Sequence, residues 1–368
     1  MASSLRQCLR PANNSLNALR LALALTVIVS HSWPLGGFGK EPLFGGETPG
    51  GWAVFGFFAI SGYLIMGSRV SNGFAEYLQR RLRRIFPAFI VCLILTAFVF
   101  APIGYWRAHH HLHGFATTPI SPINYVLSNI TLRMNNYNVA GGPTGLPYPR
   151  AWDGALWTLY YEFACYLIIG LCCCWTRFRS SALPIAILLL ICTIARFEAV
   201  QVGKYAQNSD LSWVLHLAPF FLAGSLLYQL RDKVPMRVGL AGLSLVLLVA
   251  IPLLGTPRLV VFCALPMAYL CMWLGARLPL QRVGRRNDVS YGVYIYGFPV
   301  QQLLALYGQH RHGQLTYIVL AVLCTLPLAA ASWFLVERPA MGSRRRVRTD
   351  PPRHRASPEP HTELVAAR

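Results

Sequence analysis

The chain has 368 residues, of which 55% are hydrophobic and only 12% are charged, and its formal net charge is +20. Soluble domains usually carry about 25% charged residues, so this composition excludes an ordinary soluble enzyme. Long apolar runs recur from end to end and indicate an all-α polytopic membrane protein with about ten transmembrane helices. In a soluble protein such an excess of positive charge would favour a nucleic-acid partner, and its position along the chain decides between the two interpretations.

The apolar runs predict ten membrane spans of about 20 residues each. We place them at residues 17–37, 51–68, 85–105, 152–175, 181–200, 211–230, 238–255, 258–276, 288–308 and 314–336. The sixth to eighth spans are rich in Leu and Val with little polar content, and we interpret them as scaffold. No small-x-small cleavage site follows the first span, which we therefore interpret as retained and not as a signal peptide.

Lysine and arginine are distributed unevenly between the two sides that alternating spans define. With the N-terminus in the cytoplasm, 25 of the 33 basic residues fall on the cytoplasmic side. The positive-inside rule then predicts that both termini are cytoplasmic. The net charge is thus explained as a topology signal in a lipid bilayer, and we predict no nucleic-acid partner.

Two segments are not predicted to span the membrane. The outer loop 106–151 is rich in Asn, Pro, Gly and His, and is long enough to form a lid or a glycan-facing surface. Residues 342–368 combine Arg, Pro and Ser and predict a basic, disordered cytoplasmic tail, which leaves 1–341 as one membrane domain. The histidine run 109–113 has no accompanying carboxylate or cysteine, so we predict a solvated loop and no metal site.

The first span carries an ionisable pair, Arg20 and His31, with ten uncharged residues between them. Eleven positions advance a helix by almost three turns, so both side chains return to one face, roughly 16 Å apart. Such a face is presented to partners, water or substrate and not to lipid. The alternative is a snorkelling arginine at one interface and an unrelated histidine at the other.

Few other spans contain a group suited to catalysis. Glu162 is the one acidic residue clearly in the middle of a span. It could orient His31, hold Arg20, or form a structural ion pair or hydrogen bond between helices. His216 lies between leucines, as is typical of a histidine that bonds between helices. Ser61 has no adjacent base, so we interpret it as a packing or hydrogen-bonding residue and not as a nucleophile.

An inner loop before the third span contains the sequence RRLRRIFP, from Arg80 to Pro87. Arginines beside a span are typical of topology anchors or of contacts with anionic lipid. They could equally bind a phosphorylated cytosolic donor, because the guanidinium fork matches phosphate oxygens. The sequence leaves these alternatives open.

Taken together, the motifs resemble the acyltransferase 3 family of integral-membrane O-acyltransferases. Six motifs follow in the family's order over residues 15–340: the pair Arg20 and His31, FFAISGYLI at 57–65, Arg81-x-x-Arg84-x-x-Pro87, LWTLYYE at 156–162, SYGVYIYGFP at 290–299 and FLVERP at 334–339. Each motif is weak alone, whereas six in order at matching topology are specific.

The resemblance implies a ten-helix core in the bacterial inner membrane that takes an acyl group, commonly acetyl, from cytosolic acyl-CoA. The group passes to a hydroxyl, usually of a cell-surface glycan or its lipid-linked precursor. Acyl-CoA is then a co-substrate, and no cofactor is bound permanently. In this interpretation His31 is the general base. Arg20 neutralises the donor or the developing oxyanion, and Glu162 assists one of them.

The resemblance also suggests which other residues bind substrates. We expect the acyl-CoA phosphates to contact Arg80, Arg81 and Arg84. We expect the acceptor site, or the passage that leads to it, to be lined by Ser61, Trp157, Tyr291, Tyr294 and Gln301. Many relatives have a histidine where this chain has Gly297. We expect the task of that histidine to fall to Tyr294, Tyr296 or Gln301, or else the acceptor to differ.

Two alternative functions have comparable sequence signatures. The acceptor could be a small molecule such as a macrolide or a lipid. A non-enzymatic polysaccharide exporter would also have about ten spans and aromatic residues for sugar stacking. The sequence leaves the oligomeric state open.

Overall fold

A computed structural model describes residues 3–10, 13–202 and 210–342. This part of the chain is helical, and its β-structure is limited to isolated bridges. The main helices, in chain order, are α1 (Leu16–Gly36), α2 (Pro49–Ser71), α3 (Phe74–His109), α4 (Pro122–Asn129), α5 (Thr158–Cys172), α6 (Leu183–Val202), α7 (Asp210–Gln229), α8 (Val238–Leu253), α9 (Pro257–Arg277), α10 (Ser290–Leu306) and α11 (Gln314–Met341). Single helical turns lie at Leu5–Cys8, Thr176–Ser180 and Gln309–His312.

The ten predicted spans coincide with helices α1 to α3 and α5 to α11. Within residues 3–10, 13–202 and 210–342, six helices are long and apolar enough to cross a membrane: α1, α2, α3, α7, α9 and α11. Helices α5 and α8 are apolar but shorter. The protein is therefore an all-α protein with several membrane-crossing helices, and the full number of ten stays a prediction. The predicted tail lies outside the described residues except for Gly342.

Two boundaries differ from the sequence-based expectation. Helix α3 begins at Phe74, eleven residues before the predicted span, because good helix formers and no Gly or Pro fill its first three turns. The arginines of RRLRRIFP are therefore helical, and the prediction of an inner loop there is wrong. Helix α5 begins only at Thr158, since the Asp153 carboxylate accepts the backbone N–H of Ala155 and stabilises a turn before the helix.

Helices α2 and α7 pack with their backbones in close approach. A Cβ at Gly62 would lie 1.8 Å from the carbonyl oxygen of Phe221, and one at Gly224 would lie 2.0 Å from that of Ala59. The Ser225 hydroxyl donates to the Gly62 carbonyl at 3.1 Å. Small residues permit this approach, which fixes α7 beside the residues of α2 that line the interior.

Helix α10 is the central element of the bundle. Every residue from Ser290 to Gln302 is buried, and the helix packs against α1 and α11. A Cβ at Gly297 would lie 2.8 Å from Cγ1 of Ile28 on α1. Gln301 Nε2 donates to the Ile28 carbonyl at 3.0 Å. Glycine at 297 thus brings α10 against α1, and a histidine side chain does not fit this helix spacing.

Candidate functional site

The inner end of α1 is held by a network of buried charges. Arg20 Nη1 lies 2.6 Å from Asp288 Oδ2, and Arg84 Nη2 lies 2.7 Å from the same oxygen. Arg84 Nη1 also contacts Glu337 Oε2 at 3.3 Å. The network connects α1, α3, the turn before α10 and the end of α11. The partner of Arg20 is therefore Asp288, which lies 268 positions further along the chain.

Asp288 stands just before α10 and is the centre of this network. Burial favours its neutral form, but the positive charges of Arg20 and Arg84 outweigh burial and lower the pKa of Asp288 to about 2. The Ser290 hydroxyl donates to the other carboxylate oxygen at 2.6 Å. The carboxylate is therefore charged throughout the physiological pH range and keeps the Arg20 guanidinium in place.

A small cavity of about 30 Å³ lies beside Arg20. Its walls include Glu162, Tyr291 and Tyr294. Glu162 Oε1 accepts hydrogen bonds of 2.6 Å from Ser61 Oγ and from the Tyr166 hydroxyl. Glu162 thus shares a cavity with Arg20 and not with His31, and its hydrogen bonds among the described residues go to neither of them.

A larger cavity of about 250 Å³ lies around His31. Besides His31, its polar and aromatic lining consists of Glu47, Thr48, Phe55, Trp157, Thr158, Trp213, His216 and Tyr294. The two cavities adjoin, because Val54, Thr158 and Tyr294 line both. Tyr294 donates to the Ala155 carbonyl at 2.9 Å, and its hydroxyl lies 2.5 Å from Thr158 Oγ1. Tyr294 and Thr158 therefore lie between the larger cavity and the smaller one.

The His31 imidazole is available for chemistry. Its ring meets the edge of Phe298, with the ring centroids 5.2 Å apart. Across residues 13–202 and 210–342 it has no hydrogen-bond partner, although it lines the larger cavity. Arg20 and His31, which share α1, therefore both line interior space, as expected of a helix face that is not turned to lipid.

The remaining residues expected at the acceptor site fall in different places. Trp157 lines the larger cavity, and Tyr291 lines the smaller one while donating to the Ile85 carbonyl at 2.9 Å. Gln301 and Tyr296 are fully buried and line neither cavity. Of the three residues considered as substitutes for a histidine at 297, Tyr294 is thus the one that reaches the cavities.

The arginines expected to contact acyl-CoA have different surroundings. Arg80 is exposed and pairs with Glu76 at 2.6 Å, one turn away. Arg84 belongs to the network around Asp288. Arg81 has a buried Nε without a hydrogen bond among the described residues. Of Arg80, Arg81 and Arg84, Arg81 is therefore the one without a carboxylate partner among the described residues.

The sequence did not predict Glu47 and Trp213 in the larger cavity, and it predicted a different partner for His216. His216 Nε2 lies 3.2 Å from Glu47 Oε1, so its partner is in a loop and not in a second helix. Trp213 stands one turn earlier on α7 and also lines the cavity. Interpreting α7 only as scaffold was wrong. The spacing of Trp213 and His216 indicates one helix face, whereas nothing local predicts Glu47.

The loop that contributes Glu47 is anchored to α1. The Ser30 hydroxyl donates to the Glu41 carboxylate and accepts the backbone N–H of Gly50 at 2.8 Å. Burial raises the pKa of Glu41 above its ordinary value, against hydrogen bonds from Ser30 and Thr48 that lower it. These contacts position the loop over the outer end of α1, where His31 lies.

Comparisons with known proteins agree with this architecture. The model of a family described as "Acyltransferase domain" matches residues 13–336. An O-acetyl transferase of Shigella phage Sf6 is 32% identical over 89% of this chain and 95% of its own. Nodulation protein 10 of Rhizobium leguminosarum bv. viciae is 27% identical over 89% and 93%.

A relative from Bacillus subtilis strain 168, whose name assigns it to peptidoglycan O-acetylation, is 26% identical over 88% of this chain and 54% of its own. No solved structure matches the chain. The family match covers most of the chain, and it includes both cavities and every member of the charge network except Glu337. The chain therefore belongs to the acyltransferase 3 family, and it is a multi-pass membrane acyltransferase.

Proposed function

We propose that the protein transfers an acetyl group from cytosolic acetyl-CoA to a hydroxyl of a cell-surface glycan or its lipid-linked precursor, in a bacterial inner membrane. Both termini are cytoplasmic in this proposal, and ten helices cross the bilayer. The acceptor is a glycan because the name of the Bacillus subtilis relative points to peptidoglycan and because two tryptophans line the larger cavity.

One observation carries the proposal. His31 and Arg20 line two adjoining interior cavities, with Tyr294 and Thr158 in the wall common to both. The imidazole of His31, which has no hydrogen-bond partner in the described part of the chain, lies beside the larger cavity. The charge network around Arg20 lies beside the smaller one. This arrangement is suited to acyl transfer between two membrane faces. An exporter requires a passage for its cargo, but a base of this kind is not needed for export.

His31 acts as the general base, since its imidazole lines the larger cavity and no hydrogen bond within the described residues occupies it. It accepts the proton of the acceptor hydroxyl while the hydroxyl oxygen attacks the acyl carbon of the thioester. The new C–O bond forms, the C–S bond breaks, and CoA leaves as a thiolate. The proton passes from His31 to that thiolate, so the products are the O-acetyl ester and CoA.

Arg20 acts on the donor side. It lies eleven residues before His31 on α1, roughly 16 Å along the axis, and its guanidinium is held by Asp288. This separation favours neutralisation of the donor over stabilisation of an oxyanion at His31. Arg81, together with Arg80 and Arg84, contacts the CoA phosphates. Glu162, held by Ser61 and Tyr166, supports the charge of Arg20 from the opposite wall.

The space beside Arg20 holds roughly one or two water molecules and not a pantetheine arm. The arm therefore enters only when side chains in this wall move. Tyr294 and Thr158, which are hydrogen-bonded to each other, are the side chains that separate its route from His31.

The test is acetyl transfer by the purified protein in lipid nanodiscs, with [14C]acetyl-CoA and a panel of methyl glycosides, chitobiose and muramyl disaccharide. Because a positioned general base contributes about 10²–10⁴-fold to a rate, we expect His31→Ala to lower kcat by at least about 10²-fold. His113→Ala, an exposed histidine of the outer loop, is the matched control and should retain the rate of the wild type.

Size-exclusion profiles should be the same for all three proteins. Retained transfer in purified His31→Ala protein would remove the proposed base. Absence of any O-acetylated product from the wild type across the whole panel would contradict glycan acetylation. A product formed on an added macrolide alone would move the acceptor to a small molecule.

A further inference from the structure

A histidine–carboxylate pair lies in the wall of the larger cavity, apart from the residues to which the proposed mechanism gives a role. It consists of His216 on α7 and Glu47 in the loop before α2, whose Nε2 and Oε1 atoms are 3.2 Å apart. The two side chains are 12% and 21% exposed, so a molecule in the cavity can reach them. Glu47 also interacts electrostatically with Arg196 of α6.

Two hydrogen-bond acceptors in this cavity have unused capacity. Glu47 Oε2 has no hydrogen bond among the described residues, because the contact with His216 uses the other oxygen. His31 has no hydrogen bond in the same part of the chain. A carboxylate oxygen and a neutral imidazole nitrogen each accept a hydrogen bond from a hydroxyl. A single hydroxyl can bond only one of these two acceptors. A molecule must therefore carry at least two hydroxyls to bond both of them.

The aromatic part of the cavity suits the same type of molecule. Trp157 and Trp213 both line it, with their ring centroids 4.6 Å apart. Indole rings provide apolar faces together with an N–H donor. A sugar ring presents apolar C–H groups on its faces and hydroxyls around its edge. At about 250 Å³ the cavity has room for a small polar molecule or one residue of a glycan.

We propose that Glu47 binds a second hydroxyl of the acceptor, in the same cavity as the hydroxyl that His31 deprotonates, so that the site selects diols over simple alcohols. His216 is a positioning residue that holds Glu47 through Oε1 and leaves Oε2 for the acceptor. This inference rests on the proposed function, because it assumes that the larger cavity is the acceptor site.

The test compares two probes that differ by one hydroxyl, cis-cyclohexane-1,2-diol and cyclohexanol. Binding to the protein in nanodiscs is measured by titration calorimetry without acetyl-CoA, and acetyl transfer is measured separately. A hydrogen bond to a charged group corresponds to at least about a tenfold difference in affinity, so we expect the diol to bind about tenfold more tightly. Glu47→Gln and His216→Ala should abolish or reduce this preference.

Kinetics separate acceptor positioning from a general structural effect. In Glu47→Gln we expect KM for the diol to rise about tenfold, with kcat at saturation and the Kd of acetyl-CoA unchanged. Asp232→Asn is the matched control, because Asp232 is an exposed carboxylate that pairs with Arg6 and does not line the cavity. It should retain the preference for the diol.

The outcomes distinguish this inference from the proposed function. Equal binding of both probes by the wild type overturns the diol site, and so does a preference that Glu47→Gln retains or that Asp232→Asn loses equally. Acetyl transfer without a diol preference contradicts the inference alone. A preference that depends on Glu47 without any acetyl transfer supports the diol site and contradicts the proposed acyl transfer.

Discussion

The charge network at the inner end of α1 permits a quantitative prediction for Asp288→Asn. The variant removes the carboxylate that faces both Arg20 and Arg84 at 2.6 and 2.7 Å. A pKa lowered from 3.8 to about 2 corresponds to about 2 kcal/mol of stabilisation at neutral pH. Removing one partner of a buried ion pair usually costs about 3–5 kcal/mol, because the other charge stays buried. We therefore expect a loss of about 3 kcal/mol.

Thermal unfolding in detergent micelles measures this loss. For a chain of this size we expect the midpoint to fall by roughly 4 °C. The control is Asp232→Asn, whose partner Arg6 is 3.2 Å away in a pair that is more than half exposed, and its midpoint should change by no more than about 1 °C. Equal midpoints for the two variants would refute the reasoning that the network around Asp288 is a buried and stabilising one.

The pH dependence of the same variant has a definite sign. Because the folded-state pKa of Asp288 is lowered, its stabilisation is fully present above about pH 4 and is lost as the pH falls through about 2. The deficit of Asp288→Asn relative to wild type should therefore not diminish between pH 8 and 5, where Asp288 stays ionised. The deficit should shrink below pH 4. A deficit that already shrinks between pH 7 and 5 would contradict its assignment to the ionised carboxylate of Asp288.

Two further predictions concern helix packing and donor binding. Gly62→Ala would place a Cβ 1.8 Å from a backbone oxygen of α7, so we expect no monodisperse protein on size exclusion, whereas Gly242→Ala, with open space around it, should purify like wild type. Arg81→Ala should raise KM for acetyl-CoA about tenfold through lost phosphate contacts, while Arg83→Ala, at an exposed neighbouring position, should not. An unchanged KM in Arg81→Ala would return that residue to the role of a topology anchor.

The positions of the helices could be predicted because a membrane span has a simple compositional signal. Apolar runs and the asymmetry of basic residues require no knowledge of tertiary contacts. The start of α3 was missed because this signal stops at the first arginine, whereas the helix continues back to Phe74 with an exposed basic face. Helix formation depends on local propensity and capping, and hydropathy measures neither.

The interior pairing could not be predicted from the sequence. Arg20 and Asp288 are separated by 268 positions, and the spacing of charges gives no indication that they meet. The rule that a buried charge requires a partner predicts that one exists and not which one it is. The same limit applies to Glu47, whose contact with His216 joins a loop to a helix. One-face periodicity did suffice for Arg20 and His31, because both lie on α1.

The motifs that are distant in sequence become contacts in the folded chain. Arg84, Asp288 and Glu337 join the third, fifth and sixth motifs or their flanks to Arg20 in one charge network. Ser61 of the second motif donates to the glutamate that ends LWTLYYE. These polar residues thus satisfy one another inside a bundle where water does not. In the proposed function, the charge network that these motifs form lies on the donor side.

In the proposed function the larger cavity receives the acceptor, and part of its wall comes from residues outside the six motifs. Glu47, Trp213 and His216 line the larger cavity, yet all three lie outside the six motifs. Relatives that share a donor but acylate different acceptors need a constant inner half and a variable outer wall, because specificity is a difference in binding energy between acceptors. Exchanging these three residues should therefore change which alcohol is acylated while the donor affinity set by the inner network is retained. A change in donor affinity would show that the two halves are coupled through Tyr294 and the wall that both cavities share.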